Sequence, residues 1–127
     1  MTYLFKKHYT RDEARALLPR VREWLNRLGA LRRQIVQYDK TLSELLNDGK
    51  DAGGDAVNRS VRALADFKKV AMEFQDRQIQ IKDLDRGLID FPAIIGGKEV
   101  FLCWEKDEED IEFWHDLETG YAGREKL

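Results

Sequence analysis

From Ala14 to Leu45 the apolar residues Ala14, Leu17, Val21, Trp24, Leu28, Leu31, Ile35, Tyr38, Leu42 and Leu45 recur strictly every three or four positions. A period of 3.5 residues sustained over more than four heptads is the mark of a long amphipathic helix with a continuous apolar seam. At a rise of about 1.5 Å per residue, such a helix is over ~50 Å long, and it must find a partner along that whole length. Thr10 and Glu13 precede the seam with capping-box spacing, so the helix is expected to begin there. Pro19 falls inside the pattern and removes one backbone hydrogen bond, which predicts a kink or a first segment ending near Leu18.

A second seam follows after the polar, glycine-rich stretch from Asn47 to Asp55, which has no periodicity and reads as a mobile hairpin loop. Val61, Leu64, Phe67, Ala71, Phe74 and Gln78 again step by three and four, predicting a helix from about 56 to 80 with Asp55 as its N-cap. Two long helices joined by a short connection pack as antiparallel neighbours. Ten seam positions on the first helix exceed what the second can cover, so a third packing partner is required.

Beyond residue 80 the period shortens and the punctuation changes to Gly87, Pro92, Gly96-Gly97, Gly120 and Gly123. Four strands are expected: Ile79 to Leu84, Leu88 to Phe91, Glu99 to Glu105 and Asp110 to Asp116. Turns are expected at Asp85-Arg86-Gly87 and Gly96-Gly97. The fold class is therefore α+β, a long antiparallel helical hairpin of coiled-coil type packed with a small C-terminal antiparallel β-sheet. With 127 residues, a single domain is expected, the hairpin over about 10–80 and the β-rich tail over about 81–127.

In the last hairpin, a four-residue loop from Lys106 to Glu109 would pair Glu105 with Asp110. Trp104, Leu102 and Val100 then share one face with Ile111, Phe113 and His115, and Cys103 lies on the other, away from His115. A one-residue slip would join Cys103 to His115 but would also bring Glu105 into the apolar set, so the first register is preferred.

The candidate ligand-binding residues all lie in the β-rich part. Asp83, Asp85 and Asp90 form the densest carboxylate group, and Gly87 allows a turn that returns Asp90 toward the other two. Such groups hold hard cations or move protons, although acids in turns commonly cap backbone N–H groups. His115 carries an imidazole, which could serve as ligand or acid-base group. Arg124, between Gly123 and Glu125, could clamp a carboxylate. Cys103 would need a base in reach to act as a nucleophile and further ligands to hold a metal.

The formal net charge of −2 conceals a division. Residues 1–40 carry ten Lys/Arg against four Asp/Glu, and the remainder twelve against twenty. Complementary surfaces, within the fold or between copies, are the simplest use of such a split. Arg11, Arg15, Arg22 and Arg33 lie along one flank of the first helix and could track phosphates, but the acidic remainder works against nucleic-acid binding. No apolar run is long enough to span a bilayer and the N-terminus has no signal-peptide pattern, which predicts a cytoplasmic protein and no membrane partner. The single cysteine fits a reducing compartment.

Several short runs together resemble the prokaryotic family called domain of unknown function 2203. They are Tyr9 to Ala14 with Leu17-Leu18-Pro19, Lys82 to Pro92, Val100 to Trp104, and Trp114-His115 with Gly120 to Arg124. The resemblance spans nearly the whole chain and departs at Asp107-Glu108, where the family pattern has Gly-Glu. It implies a bacterial or archaeal cytoplasmic protein and carries no activity or cofactor.

No motif fixes a reaction, a substrate, a metal or a cofactor. The sequence favours a non-enzymatic assembly or interaction protein, a homo-oligomer or a partner of another protein, that uses the hairpin. The alternative is a small-molecule or metal site, conceivably catalytic, in the β-rich tail.

Overall fold

The computed structural model describes residues 2–49 and 54–127. Helix α1 spans Arg11–Asn47 and α2 spans Gly54–Asp76. They are followed by strands β1 (Gln80–Asp83), β2 (Leu88–Ile95), β3 (Lys98–Glu105), β4 (Phe113–Asp116) and β5 (Glu125–Lys126). The strands form one antiparallel meander in chain order.

Helix α1 starts as its sequence dictates. Thr10 Oγ1 accepts from Glu13 N at 3.1 Å, while a Glu13 carboxylate oxygen accepts from Thr10 N at 3.0 Å, so two otherwise orphaned donors are satisfied. The helix then runs unbroken through Pro19, with no segment end at Leu18. Leu18 and Val21, on either side of the ring, are both buried and hold that turn against the core.

The buried face of α1 is Ala14, Leu18, Val21, Leu25, Leu28 and Leu31, with Leu17 and Trp24 packed at its margin. It is wider than the predicted seam because α1 meets two partners at once, α2 on one side and the sheet on the other. The sheet contributes Ile89, Phe91, Val100, Leu102 and Trp104 to this core. The third packing partner is thus the chain's own β part, but only along the first half of α1, since burial ends at Leu31.

The second seam is rotated from its predicted position. Ser60, Ala63 and Phe74 are buried on α2 and Phe67 is packed against the core, whereas Val61 and Leu64 are exposed. Small residues at 60 and 63 bring the two helices close, a geometry the larger Val61 and Leu64 would not permit. Asp55 lies inside the first turn of α2, paired to Arg59, and is not its cap. Of the predicted loop, Asn47, Gly54 and Asp55 are helical, and residues 50–53 lie outside the described residues.

Helix α2 ends at Asp76, four residues before its expected limit, in a Schellman motif. Ile79 N donates to Phe74 O and Gln78 N to Gln75 O, with Gln78 left-handed at φ 58°. Ile79 and Phe74 make the accompanying apolar contact, both buried. Gln78 is therefore no seam residue; its Oε1 accepts from Lys6 N and Lys7 N and ties down the N-terminal arm.

All four predicted strands exist. β2 extends four residues past Phe91, through Pro92 to Ile95, because Tyr9 N donates to the Pro92 carbonyl at 2.7 Å and the turn needs only Gly96-Gly97. β4 begins at Phe113 rather than Asp110, and the short β5 is additional. Asp107 is not left-handed, so the departure from Gly-Glu at this point imposes no backbone strain.

Candidate functional site

Alternation along β3 sends Val100, Leu102 and Trp104 toward the helices and Phe101, Cys103 and Glu105 to the opposite face. On β2, Asp90 stands opposite Cys103. On β4, His115 stands opposite Phe101, and Phe113 opposite Cys103. Asp90, Cys103 and His115 consequently share the sheet face turned away from the helices.

This is the register the sequence reading set aside, one residue displaced from pairing Glu105 with Asp110. The connection is the longer stretch 106–112, held to α1 by arginines. Arg22 donates to the carbonyls of Lys106 and Glu108, Arg11 to that of Ile111, and Arg15 grips Asp110 through Nε and Nη2 at 2.8 and 3.0 Å. Ile111 reaches the core from this loop without belonging to a strand. Glu105, whose placement argued against the slip, is neutralised by Arg86 at 2.9 Å with Arg124 nearby.

Asp90, Cys103 and His115 are each exposed by 2% or less. His115 Nδ1 lies 2.7 Å from the carbonyl oxygen of Asp116. A carbonyl only accepts, so Nδ1 carries a hydrogen and donates it. His115 Nε2 lies 3.0 Å from both carboxylate oxygens of Asp90. An imidazole protonated at Nδ1 alone presents a lone pair at Nε2, and an ionised carboxylate presents only lone pairs. The pair is held together by one proton, or by another cation in its place.

Cys103 completes the group, standing opposite Asp90 on the neighbouring strand with its sulfur beside that carboxylate. One ligand atom from each of the three residues falls within 4.8 Å of the others, a sulfur, a nitrogen and an oxygen. Burial pushes the Asp90 carboxyl above its ordinary range, with His115 and Cys103 pulling the other way. The Cys103 thiol is pushed up to about 12 by burial and by the adjacent Asp90 charge. The raised thiol works against a nucleophilic cysteine, and both His115 nitrogens are engaged elsewhere, Nε2 by Asp90 and Nδ1 by a carbonyl.

The group opens on a cavity of about 190 Å³ whose further lining includes Lys82, Leu117, Glu118, Gly120 and Tyr121. Beside it Arg124 stacks on Phe113 and Tyr121, at 3.8 and 4.6 Å from the ring centres, and donates to Glu108. Arg86 stacks on the same Tyr121 ring at 4.3 Å. Arg124 thus fixes the 120–124 segment over the sheet and supplies positive charge near Cys103.

Of the six residues singled out from sequence, Asp90, Cys103 and His115 converge and Arg124 stands beside them. Asp83 instead accepts from the Arg86 backbone N–H within the β1–β2 turn, and Asp85 pairs with Arg32 at 2.8 Å. His8 lies elsewhere, against Glu99 at 2.7 Å. Lys82, Glu105 and Glu108 were not anticipated. Lys82 sits at the irregularity between Ile81 and Asp83, which no sequence pattern marks.

The chain belongs to the family described as uncharacterized conserved protein (DUF2203), whose model matches residues 7–127. No curated protein and no solved structure matches it. Among the described residues, no helix is long and apolar enough to cross a membrane.

Proposed function

We propose that this protein binds a divalent metal ion of zinc's class through Asp90, Cys103 and His115, leaving a fourth position open to a small molecule in the adjoining cavity. The observation that carries the reading is the donor inventory of His115. Its Nδ1–H is committed to the Asp116 carbonyl, so Nε2 is aimed as an acceptor at the two Asp90 oxygens. That backbone bond is the outer-shell support that commonly orients a metal-binding histidine.

One sulfur, one nitrogen and one oxygen suit zinc, with bonds of about 2.3 Å to sulfur and ~2.0 Å to nitrogen and oxygen. Three protein ligands rather than four is the pattern of a site that admits an exogenous ligand. Burial supplies the low dielectric, and the metal would replace the protons on the thiol and between Asp90 and His115. A reducing, cytoplasmic setting suits a free thiol in this role.

Competition against a chromophoric chelator tests the reading. The purified chain should take up about one zinc ion, and Cys103→Ser and His115→Gln should each weaken uptake at least ~10-fold, with Asp83→Asn unchanged. Stoichiometric uptake unaffected by both ligand variants, or no uptake, contradicts it.

A second reading concerns the distal hairpin. Beyond Leu31 no residue of α1 is buried, and Val36, Leu46, Val57, Val61 and Leu64 are exposed, Val36 by 61% and Val61 by 58%. Val57, Val61 and Leu64 continue the three-four step on the outer face of α2, which suits packing against a second copy as a four-helix assembly. Sedimentation equilibrium should give a dimer that Val61→Glu with Leu64→Glu dissociates; a monomeric parent chain contradicts this reading.

A further inference from the structure

On the opposite side of the molecule from the Asp90 group in the sheet, α1 and the β1–β2 turn enclose a groove of about 390 Å³, whose lining includes Arg32, Arg33, Lys106, Asn26 and Asp85 over a floor of Leu25 and Leu84. Three cations face one carboxylate. Asp85 holds Arg32 with contacts of 2.8 and 3.1 Å, which fixes that guanidinium and leaves its charge balanced. Arg33 and Lys106 make no ion pair among the described residues and give the groove its excess positive charge.

Two glycines border this arrangement, and Gly87 is the one it requires. Gly29 lies in the middle of α1 with an ordinary helical conformation, where alanine would favour the helix more. Arg33 Nη1 lies 3.6 Å from the point a side-chain carbon at position 29 would occupy, so the guanidinium folds back along the helix across the bare glycine. Gly87, at φ 66°, lets the Lys106 stem pass within 2.8 Å of where its own Cβ would be. Its backbone conformation and its lack of a side chain together route Lys106 along the groove. The charged flank of α1 divides accordingly: Arg11, Arg15 and Arg22 bind the 106–112 loop, and Arg33 is free for a ligand.

The geometry points to a binding groove for a phosphorylated small molecule, its phosphate between Arg33 and Lys106 and its organic body over Leu25 and Leu84. A guanidinium and an ammonium lining one groove match a phosphate dianion, with the fork of Arg33 taking two oxygens and Lys106 acting as a point charge. Asn26 offers an amide to the body of the ligand, and the groove volume suits a molecule of sugar-phosphate size. This site is independent of the metal reading, because it shares no residue with Asp90, Cys103 and His115.

Side-chain Nε–H NMR signals of Arg32 and Arg33, followed during titration, test the inference in the intact chain. The probes are ribose 5-phosphate, ribose, inorganic phosphate and a short single-stranded oligonucleotide. Ribose 5-phosphate should shift the Arg33 signal saturably, more tightly than inorganic phosphate, and ribose should not shift it. Arg33→Gln and Lys106→Gln should each weaken ribose 5-phosphate binding about tenfold. Both positions are exposed, and unchanged circular dichroism of the variants would tie the loss to the groove. The inference is overturned by no saturable shift, by affinity unchanged in both variants, or by phosphate binding as tightly as its sugar ester. Tighter binding of the oligonucleotide at the same residues also overturns it, in favour of a phosphodiester track.

Discussion

His115 and Asp90 meet across an intervening strand: they lie on β4 and β2, which flank β3, and Nε2 stands 3.0 Å from both carboxylate oxygens. Side chains two strands apart converge only if both point to the same face, and Cys103 on β3 lies between them on that face. Two acceptors so placed need a cation between them. In the metal-free protein that cation is a proton.

Removing one member should therefore be costly. Asp90→Ala leaves His115 buried without its partner and is expected to lower unfolding free energy by about 3–5 kcal/mol in urea titrations. Cys103→Ala removes a small buried group, and about 1–2 kcal/mol is expected. Equal losses for the two variants would show that the Asp90–His115 contact has no special weight.

Zinc binding should release about two protons per ion near neutral pH, one from the thiol and one from between Asp90 and His115. With the Cys103 thiol pushed up to about 12, that proton is fully present before binding. Affinity should accordingly rise with pH. Calorimetry in two buffers of different ionisation enthalpy measures the count, and release of no protons contradicts the assignment.

The acid limb of stability has a different origin. Asp110 is held below the usual carboxylate range by its hydrogen bond to Arg15 and by the Ile111 N–H, and Glu13 by its bonds to Thr10. A carboxyl whose pKa is lower in the folded state stabilises above its unfolded value and loses that contribution as pH falls through the folded one. Stability should thus decline as the pH drops below the ordinary carboxylate range. In Asp110→Asn with Glu13→Gln the decline should be shallower, as urea midpoints from pH 6 to 2 would show.

Arg22 is expected to govern the 106–112 loop. It donates to two loop carbonyls and its guanidinium lies 4.8 Å from the Trp104 ring centre. Arg22→Ala should cost about 1–3 kcal/mol and raise amide exchange in the loop more than in β2. Uniform acceleration across the sheet would show instead that the whole fold is weakened.

The helices, their antiparallel pairing and the strands from 79 to 105 were legible because apolar periodicity and glycine turns report them directly. Thr10 with Glu13 gave the start of α1 because a capping box is a local signal. What was not legible depended on partners distant in sequence. The placement of β4 turned on Arg11, Arg15 and Arg22 lengthening the preceding loop, and no local pattern at 106–112 records those contacts. Glu105 looked misplaced on an apolar face only because Arg86 and Arg124 could not be seen beside it. The inward face of α2 was misjudged because Ser60 and Ala63 are buried by close helix approach, while Val61 and Leu64 are larger but exposed. Asp90, Cys103 and His115 were all identified by residue type, and their union depended on that one-residue register.

X-ray absorption at the zinc edge on the loaded protein tests the central claim most directly. The account predicts one sulfur at about 2.3 Å and lighter scatterers near ~2.0 Å, with the sulfur contribution lost in Cys103→Ser. A zinc environment of nitrogen and oxygen alone in the unsubstituted protein, unchanged by Cys103→Ser, would contradict it.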